Sequence, residues 1–333
     1  MNIGITLGDP AGIGPEIVYK TLLYISRFQK FKQHSYYIFC PEHLFRDFLS
    51  WSDLKDFDTI RSTLDVHFLG IDFPNIRVHP GTISAETGNF SAHAFKKALA
   101  AHPQFGIQAL VTGPIDKHAL KLAGVNELDH SQMISNYFWN PHILTMFFVK
   151  NVRIYFYTKH IPLRDVSASL DNHKLKATIR ECYRYESLFG KPAANTPFAI
   201  AGLNPHAGDS GRFGDEEITI LSPVINELKE EGYFIEGPVA PDSVFHLTRI
   251  GKYSGVLSLY HDQGHIAAKC FDFYRTVSFS LGAPILRTSV DHGSALDISG
   301  QNIASPVSFI AALNAAIKFG RRYSEFFRNN FEN

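Results

Sequence analysis

The chain has 333 residues, 45% hydrophobic and 19% charged, enough apolar material for a large core and, at that length, for two lobes. Thirty-two basic residues balance thirty-two acidic ones, which removes any general attraction to nucleic acid or an anionic membrane and makes any anion-binding group a local one. Cys40, Cys182 and Cys270 form an odd, scattered set without a CxxC, so neither a disulfide framework nor a cysteine metal site is expected, and a reducing cytoplasm fits.

The sequence opens on a strand pattern at 3–7, without the basic and long apolar regions of a signal peptide. A glycine-rich loop, Gly8-Asp9-Pro10-Ala11-Gly12-Ile13-Gly14-Pro15-Glu16, leads into a helix expected over 15–25, with proline at the favoured first position. Strands are expected at 35–40 and 109–112, and helices at 86–101 and 116–123, the latter stopped by Gly124. The stretch 51–71 carries no usable motif. Runs at 144–149 and 152–158 flank Lys150-Asn151 as a hairpin. Helical spacing recurs at 173–189 and 216–231, each followed by a glycine; 276–280 alternates as a strand, and 307–327 reads as a long C-terminal helix. The longest apolar runs, such as 146–149 and 311–317, are too short to span a bilayer. This βα alternation, interrupted by hairpin-like β, predicts an α/β fold with a mixed, mostly parallel sheet. Without repeats or a linker, the two lobes are expected to be interwoven.

Three histidine-bearing segments stand out: Thr158-Lys159-His160-Ile161-Pro162-Leu163, Leu203-Asn204-Pro205-His206-Ala207-Gly208 and Tyr260-His261-Asp262-Gln263-Gly264. Each follows an apolar, strand-like run. Three neutral imidazoles at three strand ends can converge on a divalent metal and leave a fourth position open; the alternative for each is a satisfied core histidine. Asp262 is a candidate carboxylate for orienting His261. In the first loop, Gly12 and Gly14 either admit a ligand close to backbone amides or serve only a tight βα turn. Lys269 and Arg287, with His130 and Ser131, suit a phosphate; the alternative is solvated surface charge. The stretch 290–300 is glycine-punctuated, and its Asp297 is either a ribose ligand or a helix cap. Asp215-Glu216-Glu217 reads as a complement to a helix dipole.

Five of these segments, in order and without large gaps, resemble the signatures of the 4-hydroxythreonine-4-phosphate dehydrogenase family. They are the glycine-rich loop at 8–16, Thr112-Gly113-Pro114-Ile115 with Lys117, Leu203-Asn204-Pro205-His206-Ala207-Gly208, Tyr260-His261-Asp262-Gln263-Gly264, and Arg287-Thr288-Ser289-Val290-Asp291-His292-Gly293. His292-Gly293-Ser294-Ala295-Leu296-Asp297-Ile298 also resembles the adenine-binding loop of isopropylmalate and isocitrate dehydrogenases. The resemblance implies an isopropylmalate dehydrogenase-like fold. A discontinuous nucleotide-binding lobe would take 1–125 plus 270–333, and a metal, substrate and dimerisation lobe would take 126–269. It also implies a cytoplasmic homodimer with its active site shared between subunits and no nucleic-acid or membrane partner.

By the same resemblance, His160, His206 and His261 would bind a divalent metal (zinc, magnesium or cobalt), with the histidine of the Tyr-His-Asp-Gln-Gly motif coming from the other subunit. His130, Ser131, Lys269, Ser278 and Arg287 would contact a small phosphorylated amino-acid substrate, and Gly12, Gly14, His292, Gly293, Ala295 and Asp297 would contact NAD or NADP. Asp242 and Lys269 would be catalytic, Asp242 moving a proton or orienting a ligand; its alternative is a turn residue after Pro241.

The chain departs from the family at three places. Asp129-His130-Ser131 stands for Gly-His-Thr, Ser278 stands for asparagine, and 265–268 replaces a Leu-Pro-type run while Lys269 keeps its register. The implied reaction oxidises the C3 alcohol of 4-phosphohydroxy-L-threonine and decarboxylates the product to 3-amino-2-oxopropyl phosphate, on the route to pyridoxal 5'-phosphate. The alternatives are a dehydrogenase of phosphothreonate or phosphoerythronate, for which Ser278 leaves room, and a non-redox zinc hydrolase, against which the loop at His292 argues.

Overall fold

The computed structural model describes residues 1–49, 56–71, 73, 76–190 and 196–331. The chain divides into two units, one from Met1–Ile143 with Val277–Asn333 and one from Leu144–Thr276, so the second is inserted into the first along the sequence.

The stretch before the insertion runs β1 (Asn2–Thr6), α1 (Gly14–Ser26), β2 (Ser35–Phe39), α2 (Glu42–Phe48), α3 (Phe57–Thr63), β3 (Asp65–Leu69), α4 (Ala85–Ala101), β4 (Ile107–Thr112), α5 (Lys117–Leu122) and α6 (His130–Phe138). The insertion runs β5 (Leu144–Val149), β6 (Val152–Phe156), α7 (Asn172–Glu186), β7 (Phe198–Ala201), α8 (Ser222–Glu230), β8 (Ile235–Val239), α9 (Pro241–Arg249), β9 (Val256–Ser258) and α10 (His261–Phe271). The return adds β10 (Val277–Leu281), β11 (Leu286–Val290) and α11 (Val307–Phe331).

In the first unit the strands lie in the order β3-β2-β1-β4-β11-β10, all neighbours parallel except the antiparallel pair β10–β11. Every residue of β11 is buried, and β4 is buried except at Gln108, which marks them as central strands covered on both faces. One cover is α11, whose Phe309, Ala312, Leu313, Ala316 and Phe319 form its buried stripe against β4 and β11. The loops leaving the strands end in capped helices. Ser84 accepts from Thr87 N at 3.2 Å, Asp116 from Ala119 N at 2.8 Å and Asp129 from Gln132 N at 2.9 Å.

In the second unit the order is β5-β6-β9-β7-β8, with β5–β6 antiparallel and the rest parallel. Lys150 (φ 46°) and Asn151 (φ 67°) both take the left-handed backbone that a two-residue hairpin turn demands. Phe147, Ile154, Phe156, Ala199, Val244 and Val256 pack into one core.

The expected α/β fold with a mixed, mostly parallel sheet is therefore what the chain forms. The single helix expected at 216–231 is not. It starts as a π-helical turn, Glu217–Leu221, before α8, because Pro223 has no N–H to return to the preceding turn. Of the stretch 51–71, residues 51–55 lie outside the described residues. The remainder forms α3 and β3, anchored by Phe57, Ile60 and Val66. Among the described residues no helix is long and apolar enough to cross a membrane.

Candidate active site

In the second unit β6, β9 and β7 lie side by side and parallel, so their carboxyl ends open on one edge of the sheet. His160 follows β6, His261 opens α10 just after β9, and His206 follows β7. The His160 and His261 rings sit 5.6 Å apart. Both line a cavity of about 840 Å³ together with Lys159, Asp242, His246 and Tyr260.

His261 Nδ1 is engaged by Asp262 Oδ1 at 2.6 Å, which orients the ring and leaves Nε2 as its other nitrogen. Behind it, His265 stacks at 3.6 Å, and burial pushes that imidazole down to about 4, so it adds no charge. His206 is not among the cavity-lining residues. It is exposed on a turn with left-handed backbone, φ 53° and ψ 30°, and its ring lies 6.4 Å from that of Phe213.

Among the described residues no group of three or more His, Cys, Asp or Glu is arranged to hold a metal ion. The donor chemistry, neutral imidazoles with one carboxylate-oriented ring, fits a borderline divalent cation. One chain supplies a close pair, His160 and His261. Asp242 lies in the first turn of α9, not in a loop, and Lys269 sits on α10 with its ammonium 5.6 Å from the Phe273 ring. Glu217, expected to complement a helix dipole, does stand in the first turn of its helical segment, and its buried carboxylate also accepts from Leu203 N and Asn204 N.

The first unit holds a different constellation. Arg287 on β11 is 6% exposed, and its hydrogen bonds go to neutral partners: Nε to Thr112 Oγ1 at 3.0 Å, Nη1 to Ser280 Oγ at 3.1 Å and Nη2 to His130 Nδ1 at 3.0 Å. Burial pushes the guanidinium down to about 10, with the Asp129 carboxylate acting the other way. Burial first, and Arg287 second, hold His130 well below its ordinary value, so its ring is neutral. A guanidinium only donates, so His130 Nδ1 accepts and its proton sits on Nε2. That buried Nε2 has no hydrogen-bond partner. Ser131 Oγ approaches Ser280 Oγ at 3.4 Å.

A buried cation among neutral groups, beside an unsatisfied N–H, leaves donor capacity of the kind an anion would satisfy. Of the expected substrate residues, His130, Ser131 and Arg287 are brought together here, and Ser278 faces Ser289 across the ladder, two residues from Ser280. Ser280 and Thr112 were not expected. The alternation at 276–280 already puts Ser280 on the same face as Ser278.

The expected cofactor residues cluster at the carboxyl ends of β1, β4 and β11, which are adjacent and parallel. Ile13 N donates to Ser294 O at 2.9 Å, and Ser294 Oγ reaches Asp116 Oδ2 at 3.4 Å. Gly12 and Gly14 are already demanded by this packing. A Cβ on Gly12 would lie 2.5 Å from Ser294 O, and one on Gly14 would lie 1.9 Å from Leu7 O. Ala295 is left-handed (φ 44°), His292 Nδ1 lies 2.9 Å from Gly293 O, and Asp297 is exposed inside a short 3-10 turn, Leu296–Ile298, rather than capping a helix.

The family described as "Pyridoxal phosphate biosynthetic protein PdxA" matches residues 32–316. A Clostridium botulinum protein named "Putative D-threonate 4-phosphate dehydrogenase" is 37% identical over 339 residues, spanning 97% of this chain and 98% of its own. One of the same name from Fusobacterium nucleatum is 35% identical over 335 residues, with the same coverage of 97% and 98%. A crystal structure of 4-hydroxythreonine-4-phosphate dehydrogenase from Klebsiella pneumoniae superposes with a TM-score of 0.79 at 29% identity, over 96% of this chain and 97% of that one. This end-to-end similarity defines the chain as a dehydrogenase. It belongs to the pyridoxal phosphate biosynthetic protein family.

Proposed function

We propose that the chain oxidises the C3 hydroxyl of a four-carbon acid bearing a 4-phosphate, using NAD or NADP, and then releases carbon dioxide from the resulting β-keto acid. The observation that carries this reading is the Arg287–His130 socket, a cationic fork plus an unsatisfied N–H matched to phosphate oxygens. D-threonate 4-phosphate is the first substrate, because relatives named for it are 35–37% identical whereas the solved 4-hydroxythreonine-4-phosphate dehydrogenase is 29% identical. 4-Phosphohydroxy-L-threonine is the second, supported by the family description, and would place the enzyme on the route to pyridoxal 5'-phosphate. The two differ only at C2, hydroxyl against ammonium.

Arg287 and His130, aided by Ser131, would hold the phosphate and so fix the far end of the substrate, with Ser278 beside them. His160, His206 and His261, completed across two copies of the chain in a homodimer, would hold a divalent cation such as zinc, cobalt or magnesium. When bound, that cation supplies positive charge at the developing alkoxide and enolate oxygens. Asp242, on the cavity wall, would take the hydroxyl proton or orient the group that does, and Lys269 would return a proton to carbon. The loops carrying Gly12, Gly14, His292, Gly293, Ala295 and Asp297 would seat the nicotinamide dinucleotide, Asp297 facing the ribose.

The C3 hydrogen leaves as hydride to the nicotinamide and the hydroxyl proton goes to the base. The C1–C2 bond then breaks, carbon dioxide departs, and its electron pair at C2 is protonated. The products are dihydroxyacetone phosphate from the hydroxy acid and 3-amino-2-oxopropyl phosphate from the amino acid. The test is a panel of both substrates with NAD and NADP on metal-reconstituted protein, read by reduced-nicotinamide absorbance and released carbon dioxide. Turnover of D-threonate 4-phosphate above the amino acid is expected. Absence of turnover with either substrate and either cofactor overturns the proposal.

A further inference from the structure

Residues 206–210 make a turn of unusual conformation. His206, Ala207, Gly208, Asp209 and Ser210 all have left-handed φ (53°, 53°, 82°, 42° and 58°), and only one of them is glycine. Backbone of this kind persists where its surroundings over-determine it. Here one side chain does much of that. Glu217, 2% exposed, opens the π-helical turn that precedes α8. Its Oε1 accepts from Leu203 N at 2.7 Å and Asn204 N at 2.8 Å, and its Oε2 accepts from Asn204 Nδ2 at 2.9 Å. The same amide group also donates to Glu216 Oε2 at 2.6 Å. A Cβ on Gly208 would lie 2.9 Å from Glu217 Oε2, and one on Gly202 would lie 3.3 Å from Oε1. The carboxylate thus ties down the chain just before His206 and packs closely against Gly208 just after it.

Its hydrogen-bond partners are all neutral N–H groups. The other deeply buried glutamate of this unit, Glu186, is instead paired with Arg153 at 2.9 Å. A buried charge spent on three amide donors is an expensive way to tie down a loop, and it makes sense where the direction of an adjoining side chain matters.

We infer that Glu217 is a positioning residue: it sets the direction in which the His206 imidazole leaves the turn, without touching substrate. The inference rests on the proposed role of His206 in the reaction. The test compares E217Q, E217D and H206A with wild type in the full chain, on whichever substrate the panel above identifies. Readouts are kcat, KM, Tm, Co²⁺ affinity by titration of the protein alone, and amide exchange at Leu203 and Asn204.

The expected result for E217Q is kcat lower and Co²⁺ dissociation constant higher by about tenfold or more, with KM within about threefold and Tm nearly unchanged. E217D, which keeps the charge but withdraws it by one methylene, should show the same split in smaller measure. Both should exchange the Leu203 and Asn204 amides faster. Wild-type kcat, Co²⁺ affinity and amide protection in E217Q overturn the inference. So does a loss of activity that tracks Tm alone, with unchanged kcat and Co²⁺ affinity per folded molecule. If H206A itself turns over normally, the role of His206 fails and the positioning inference falls with it. If H206A is inactive and E217Q is not, only the inference falls.

Discussion

Arg287 occupies an environment most arginines avoid, buried and hydrogen-bonded only to neutral groups, and under the proposed function it awaits an anion at a standing cost to the fold. Replacing it should therefore separate stability from activity. R287M is expected to lower kcat/KM by about a hundredfold or more, the loss of two charge-assisted bonds at roughly 1.5–3 kcal/mol each. Its Tm should not fall. R287K, which keeps the charge without the fork, should lose about tenfold. Steady-state kinetics beside thermal melts decide it, and a Tm drop of several degrees in R287M would mean the arginine is structural.

Asp9 offers a second residue-scale prediction. Burial, partly offset by its bond from Ala11 N and reinforced by Asp116, pushes its carboxyl up to about 6. A folded-state value above the unfolded one means the folded chain holds the proton more tightly. That stabilisation is complete below about pH 4 and is lost as pH rises through about 6. D9N has no such proton, so the wild-type Tm minus the D9N Tm should fall across that window. A flat difference would show that Asp9 does not titrate there.

Elements explain what was legible in the sequence. The three histidines could be found because each follows an apolar run, and β6, β9 and β7 turn out to be neighbours with a common direction. Arg287 could be found because it directly follows one. Thr112 and Ser280 could not, since a hydroxyl on an alternating strand looks like ordinary β sequence. Thr112 meets Arg287 only because β4 pairs with a strand that lies 175 residues further on. Glu217 was hidden for a related reason. An acidic residue near a helix start has a sufficient local explanation, and nothing local reveals that it lies under residues 203 and 204.

The hairpin was legible down to Lys150-Asn151, although its second strand stops at Phe156, short of the expected 158. Because Asn151 has φ 67°, N151G should be tolerated or stabilising by about 0.5 kcal/mol, whereas N151V, β-branched at positive φ, should destabilise by about 1 kcal/mol or more. Urea melts distinguish the two, and equal effects would mean the turn relaxes to another type.

At the scale of the whole molecule, the imidazole count has a consequence for assembly. One chain brings His160 and His261 within 5.6 Å of each other but forms no group of three among its described residues. If catalysis needs His206 of one copy with His261 of another, inactive H206A and H261A proteins should rescue each other. In an equal mixture half the dimers are hybrid, each with one intact site of two, so recovery to about a quarter of wild-type activity is expected after subunit exchange. No recovery, in a mixture shown to have exchanged, would place all the required imidazoles in one copy.

The insertion of Leu144–Thr276 into the first unit also sets a timetable for the emerging chain. In the first unit's sheet, β11 lies between β4 and β10, so a strand made after the insertion fills a place beside one made before it. Until then β4 has an open edge at the ribosome, while the inserted unit, contiguous in sequence, has all its strands in hand. The piece translated second is therefore the one able to close first, and the unit holding Arg287 waits until β10 and β11 have followed the insertion before its sheet is complete.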